Sequence, residues 1–334
     1  MRHIKYILWA LLPLSLHAQV LRLEPGVQVV AQGAPVLVLN NISLMHNGSF
    51  VPDSSTVLFT GDQASSIEGA QPVFFHNLSI GRVVQVYNSI SVAGQISMDG
   101  GNLQLNTYTL DLGSTGSIMG ERNGSSIQGK VTATAFLSAP QEVNPGNIGV
   151  AFTSPSNLGT TTITRGNVSL ADGSIQRYFD ISPENNTHLQ ASLRFYYLAE
   201  DLGGIAKKEL NLFQQDGWVC LGRDAADDTA QWVMKNNIDR LQRFTLAKGP
   251  VEGSLVQIYP NPAHDVFSIR LYSPTDQAGT VCLYDGGGRL VGLKEIHCQV
   301  GSNTIQWRVT GLAAGMYYVV FKNLRLQSRA VLKE

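Results

Sequence analysis

Gln95–Ile96–Ser97–Met98–Asp99–Gly100–Gly101–Asn102–Leu103–Gln104–Leu105–Asn106–Thr107–Tyr108–Thr109–Leu110–Asp111–Leu112–Gly113–Ser114 reads as a chain of short strands and tight turns. Ile96 alternates with polar neighbours, then Leu103 with Leu105, then Leu110 with Leu112, so each run offers one apolar face. Asp99–Gly100–Gly101 and Gly113–Ser114 break the runs. Strands this short bury too little area to stand alone. Stacked as coils, they build one continuous core. The same punctuation runs from Val20 to about Lys130, with strands at Val36–Leu39, Val73–Phe75 and Val83–Val86 and turns at Asn47–Gly48 and Asn123–Gly124. Asn41–Ile42–Ser43–Leu44 resembles Asn77–Leu78–Ser79–Ile80, a weak internal repeat. Residues 19–142 are therefore read as a β-solenoid-like domain, with a distorted β-sandwich as the alternative, because the rung spacing is irregular. Ile96, Leu103, Leu110 and Ile118 are expected in the core.

Beyond this stretch the strands lengthen and become aromatic. Ile148–Phe152, Thr160–Arg165, Gln176–Ile181, Ala191–Tyr197, Glu209–Phe213, Trp218–Leu221, Gln231–Met234 and Arg243–Leu246 recur without a helical period between them. Residues 143–248 are read as an antiparallel β-sandwich, with room for a short helix between Asp227 and Asp239. Residues 249–254, with two glycines and a proline from Gly249, read as a linker. Residues 255–334 form a third set: Phe267, Ile269 and Leu271 alternate, as do Ile305, Trp307 and Val309, and Met316–Phe321 is continuously apolar. This predicts an Ig-like sandwich of seven strands. The whole chain is read as all-β.

At the other end, Arg2 and Lys5 precede an apolar run, Ile7–Leu16, and Ala18 offers a small residue before Gln19. That order predicts a signal peptide over residues 1–18, cleaved between Ala18 and Gln19. No later run is long and apolar enough for a spanning helix, so no transmembrane segment is expected in the mature chain. Charged residues make up 15% of the 334, well under the roughly 25% of an average soluble protein. The net charge of −1 leaves no global field for nucleic acid. Of the cysteines, Cys220, Cys282 and Cys298, only the last two share a domain. Period-two alternation puts Cys282 opposite Val281 and Leu283, while Cys298 shares the apolar face, so no disulfide is expected.

Sequence motifs for chemistry are missing. There is no G-x-S-x-G, H-E-x-x-H, P-loop or G-x-G-x-x-G, and no cofactor or metal site is expected. His46, His76, His188, His264 and His297 are dispersed. The acids Asp53, Asp62, Glu68, Asp99, Asp111 and Glu121 sit mainly at turns, where they serve the backbone. Asp224, Asp227 and Asp228 form an acidic cluster, read as a solvated loop in preference to a calcium site. Phe195–Tyr196–Tyr197 with Tyr178–Phe179 offers a sugar-stacking platform, though alternation sends half of it into a core.

The last quarter carries a family likeness. Ile258–Tyr259–Pro260–Asn261–Pro262–Ala263, Val281–Asp285, Gly288–Arg289–Leu290–Val291, Gly311–Val319 and Arg329–Glu334 together resemble the type A C-terminal sorting domain of type IX secretion. The motif positions are Pro260, Asn261, Pro262, Asp285, Gly288, Arg289, Gly315, Tyr317, Arg329 and Lys333. The triple glycine after Asp285 departs from the pattern. The resemblance implies a Bacteroidetes origin, passage via the periplasm to the outer surface or the medium, and handling by the secretion machinery and a surface sortase, with release or joining to anionic lipopolysaccharide. Two readings of the delivered part compete. One is a non-enzymatic structural or adhesive protein that meets a glycan or surface-protein ligand. The other is a carbohydrate-active enzyme on the solenoid, for which Arg82, Arg122 and Lys130 are the available cations.

Overall fold

The structure is a computed structural model that describes residues 19–170, 173–215, 219–249, 256–273, 276–299, 301–324, 326 and 328–334. The signal-peptide reading and all of the linker but Gly249 lie outside the described residues. The chain begins with three-strand rungs: β1 (Gln19–Leu23), β2 (Gln28–Val30), β3 (Val36–Asn40); β4 (Ile42–His46), β5 (Ser49–Val51), β6 (Thr56–Thr60); β7 (Ser65–Glu68), β8 (Val73–Phe75), β9 (Asn77–Ile80); β10 (Val84–Val86), β11 (Ile90–Val92), β12 (Gln95–Met98). β13 (Leu103–Asp111) runs through two faces before β14 (Ser117–Met119). Pairing between rungs is parallel throughout. On the third face, Leu37, Val57, Leu78, Ile96 and Ile118 stack in register.

These inward residues make the core. Ile96, Leu103, Leu110 and Ile118 are fully buried, as expected. Each such side chain contributes about 1.5–3 kcal/mol through burial, a gain no single rung could realise by itself. The sequence repeat is a false one, however. Ile42–His46 lies on the first face and Asn77–Ile80 on the third, in different sheets. Their likeness reflects a shared corner-then-strand grammar. The true rung is irregular: Ile96 follows Leu78 by 18 residues, and Ile127 follows Leu103 by 24.

β15 (Ile127–Ser138) ends the solenoid. It pairs in parallel with β13 and antiparallel with β17 (Asn157–Gly166). Through it the first sheet continues into β18 (Ser174–Pro183), β24 (Arg243–Lys248), β20 (Leu210–Gln214) and β21 (Val219–Gly222). A second sheet, β16 (Val150–Thr153), β19 (Ala191–Tyr196), β23 (Trp232–Ile238) and β22 (Ala225–Asp227), closes the sandwich. One apolar cluster runs from Leu23 to Leu246, so solenoid and sandwich share a core. The helix allowed for between Asp227 and Asp239 is a β-hairpin instead. Asp227 Oδ1 accepts Thr229 N and Ala230 N, which fixes a turn there.

The last segment holds β25 (Val256–Tyr259), β26 (Val266–Ser273), β27 (Gln277–Asp285), β28 (Leu290–Cys298), β29 (Gly301–Arg308), β30 (Gly315–Lys322) and β31 (Arg329–Lys333). They form a three-stranded sheet, β25-β26-β29, over a four-stranded one, β28-β27-β30-β31. Phe267 and Trp307 stack in this core at 6.5 Å. All three cysteines are buried free thiols. Cys298 belongs to the core, and Cys282 pairs with Leu293 and Val320 on the opposite side of its sheet.

Candidate functional site

Motif residues far apart in sequence meet at one end of the last sandwich. The antiparallel register sets Asp285 beside Tyr317, Tyr317 beside Val331, and Gly315 beside Lys333. Ala263 bridges to Lys333, and the Pro260–Pro262 segment closes over the same strand. Asn261 does this with its side chain. Its Oδ1 accepts Leu332 N at 2.9 Å and its Nδ2 donates to the Ala330 carbonyl at 3.3 Å. The amide thus copies a strand's donor and acceptor where Pro260 and Pro262 have no N–H to give. Ala263 N donates to Leu332 O at 2.8 Å, and Glu334 N donates to Ala263 O at 2.9 Å.

The Asp285 turn joins β27 to β28. Asp285 Oδ1 accepts Arg289 N and Gly287 N, and Oδ2 accepts Arg289 Nε at 3.1 Å. The hydrogen bond from Arg289 N, with its guanidinium beside it, holds the Asp285 carboxyl below the usual carboxylate range. Gly288 has φ of +78°, which suits glycine, and the turn is closed by Gly288 N donating to Asp285 O at 2.9 Å and Asp285 N to Arg289 O at 3.0 Å. Tyr317 is buried and its hydroxyl donates to Ala313 O at 2.8 Å, pinning the chain before β30. Arg329 stands apart from this end and reaches Val256 O at 3.2 Å. Lys333 contacts the Glu334 carbonyl. Gln19 is exposed at the start of β1, and Ala18 lies outside the described residues.

In the solenoid several charged residues brace corners and neighbouring strands. Asp53 accepts Gly33 N, Asp99 accepts the Ser79 hydroxyl, and Asp111 accepts Gly113 N. Arg82 donates to Thr60 O and Asn41 Oδ1, and Arg122 to Met98 O and Gly120 O. Asp224 is engaged by Lys235 Nζ and Asn236 N. The sugar-stacking platform is mostly core: Phe179, Phe195, Tyr178 and Tyr197 are buried, and Phe179 meets Phe195 edge-on at 4.7 Å. Burial, with Asp228 second, pushes the Tyr197 hydroxyl up to about 12.

Sequence reasoning missed the seam between solenoid and sandwich. Arg165 is fully buried and grips Glu121 with two bonds of 2.6 and 2.9 Å. Arg177 Nε meets Asp201 Oδ2 at 2.7 Å. Glu200 accepts Gly124 N at 2.9 Å and the Ser126 hydroxyl. An arginine in an otherwise alternating strand, at Arg165 and again at Arg177, is the signal that could have found it.

Residues 257–332 match the family model of the secretion system C-terminal sorting domain. No curated protein matches the chain. Among solved structures, the GBS pullulanase SAP in complex with maltotetraose is 13% identical, with 39% of this chain and 20% of that chain covered at a TM-score of 0.17. Dimeric latent PorU from Porphyromonas gingivalis is 12% identical, with 60% and 19% covered at a TM-score of 0.21. The chain spans about a fifth of the length of either, and at these TM-scores neither bears on fold or activity. The last domain is thus a type IX secretion sorting domain, and it marks the protein for export and for contact with that machinery. Among the described residues, no helix is long and apolar enough to cross a membrane.

Proposed function

We propose that this is a Bacteroidetes surface or secreted protein whose residues 19–248 are a non-catalytic cargo, structural, adhesive or ligand-binding. The observation that carries the export half is the convergence of Asn261, Asp285, Gly315 and Lys333 at one end of the sorting domain. Such an end presents one composite surface to the machinery. The non-catalytic half is supported by the engagement of Arg82 and Arg122 with backbone carbonyls, of Asp111 with the Gly113 amide and of Asp99 with the Ser79 hydroxyl. A lyase or hydrolase needs such groups free and convergent. In this reading the signal peptide leaves at Ala18–Gln19, the chain crosses the periplasm, and a sortase then releases it or joins it to anionic lipopolysaccharide.

Deleting residues 327–334 tests the export step. That removes β31, exposes the edge of β30 and takes away one side of the composite end. The truncated protein is expected in the periplasm by cell fractionation, while Lys333→Ala, which leaves the strand in place, separates recognition from folding. Arrival of the truncated form at the surface refutes the reading.

A further inference from the structure

The second face of the solenoid is interrupted. Among the described residues, β5 pairs only with β2, and β8 only with β11, so the ladder stops between β5 and β8. The sequence explains the break. The corner from β4 to β5 is Asn47–Gly48, whereas that from β7 to β8 holds the four residues 69–72, and the longer corner shifts β8 out of line. Pro52 follows β5 and Pro72 precedes β8, and proline cannot donate to a ladder. The two strands are joined beneath by side chains instead, with the Phe50 and Phe75 rings 6.2 Å apart.

Above that contact a groove of about 550 Å³ opens. Phe50, Phe74 and Pro72 give it apolar surface, and Gln28, Asn47 and Gln71 give it amides. Among the described residues no Asp, Glu, Lys or Arg lines it, and its one imidazole, His46, meets the Gln71 carbonyl through Nδ1 at 3.2 Å. Phe74 is 48% exposed, a large aromatic left to solvent in the middle of the face. The wall is preformed. Asn47 Oδ1 accepts Ala70 N at 2.8 Å, which fixes its amide plane. A Cβ on Gly48 would lie 2.4 Å from Val27 O and 2.6 Å from Glu24 O, so the neighbouring corner packs directly on this glycine.

We infer that this groove binds a neutral saccharide. A pyranose has an apolar C–H face that covers a phenyl ring and a rim of hydroxyls that exchange hydrogen bonds with planar amides. The interrupted ladder adds backbone donors and acceptors from β5 and β8, which a polyhydroxylated ligand satisfies. A charged ligand would meet no carboxylate, lysine or arginine among the described residues of the lining. The inference deepens the ligand-binding reading of the cargo and rests on it. It is tested on purified protein in solution, so a failure of export leaves the binding result untouched.

Residues 19–334 are titrated calorimetrically with cellotetraose, xylotetraose and chitotetraose, beside polygalacturonate and a capped neutral pentapeptide. At least one neutral saccharide is expected to bind, and Phe74→Ala to weaken it about tenfold. Phe136→Ala, on the exposed Phe136 of β15 away from the groove, is expected to leave it unchanged. Gln71→Ala, with amide shifts followed at residues 47–50, keeps the test open if Phe74→Ala unfolds. The inference is overturned if no neutral saccharide binds, if polygalacturonate or the peptide binds in preference, or if Phe136→Ala and Phe74→Ala act alike.

Discussion

Asn261 shows how one side chain does the work of a strand. It sits between two prolines, where the backbone has least to offer, and its amide closes the first motif onto the last strand. Asn261→Ala removes both bonds and is expected to cost the sorting domain about 1–2 kcal/mol, at about 1 kcal/mol for each bond, with faster hydrogen exchange at the Leu332 amide. Unchanged exchange there would show that Ala263 alone holds the strand. Glu121 is the matching case at the seam. Burial alone would raise its carboxyl, but Arg165 and Arg177 outweigh that and hold it below the ordinary value. A depressed carboxyl stabilises the fold above the unfolded value of about 4.3, and the contribution is lost as pH falls through the lower folded value. Asp201 runs the other way, since burial, ahead of Arg177, raises it. Glu121→Gln is therefore expected to cost about 3 kcal/mol at pH 7 and to flatten the acid limb of a urea-stability profile below about pH 4.3. An acid limb identical to wild type would assign that pH dependence to other groups. The motif residues were legible in sequence because they form local patterns. Glu121 was read as a turn acid because its partner lies 44 residues away.

At the scale of elements, the solenoid was legible because period two and glycine turns are local properties. The inward set followed from them directly. Leu110 is fully buried and packs between Ile90 and Val131 in register. Leu110→Asp places an unpaired charge in that stack and is expected to unfold residues 19–248, read as loss of the cooperative thermal transition. Retention of that transition would put residue 110 at the surface. Which strand stacks on which was not legible. The repeat between Ile42–His46 and Asn77–Ile80 joined strands of different faces, because alternation says which side of a strand is apolar but not which face of the coil it occupies. The aromatic platform failed for a related reason. Phe195 and Tyr197 alternate correctly into a core, but Tyr178 is covered as well, and Arg243 lies over its ring at 5.2 Å.

Across the whole molecule, the proposed export implies an order of processing. A protein exported as proposed has its amino terminus at Gln19 and is cut between about Lys248 and Leu255, where glycines and a proline separate two cores. Intact-mass analysis of the surface or medium fraction is expected to give that fragment. A species that keeps Met1 refutes the first cut, and one that keeps Glu334 refutes the second.

The amino-acid sequence by itself determined the all-β character, the separate terminal sandwich and the sorting likeness. Each rests on patterns within a few residues: alternation, turn chemistry, and short motifs in order. Only the tertiary structure decided what those pieces share. It runs one sheet from solenoid into sandwich through β15, pairs Arg165 with Glu121 across the seam, and brings Asn261, Asp285, Gly315 and Lys333 to one end. It also breaks the second face between β5 and β8, opening a groove whose walls come from separate rungs. Register between distant strands depends on how whole corners pack, and a one-residue difference in a corner moves every side chain after it, so no local pattern encodes it.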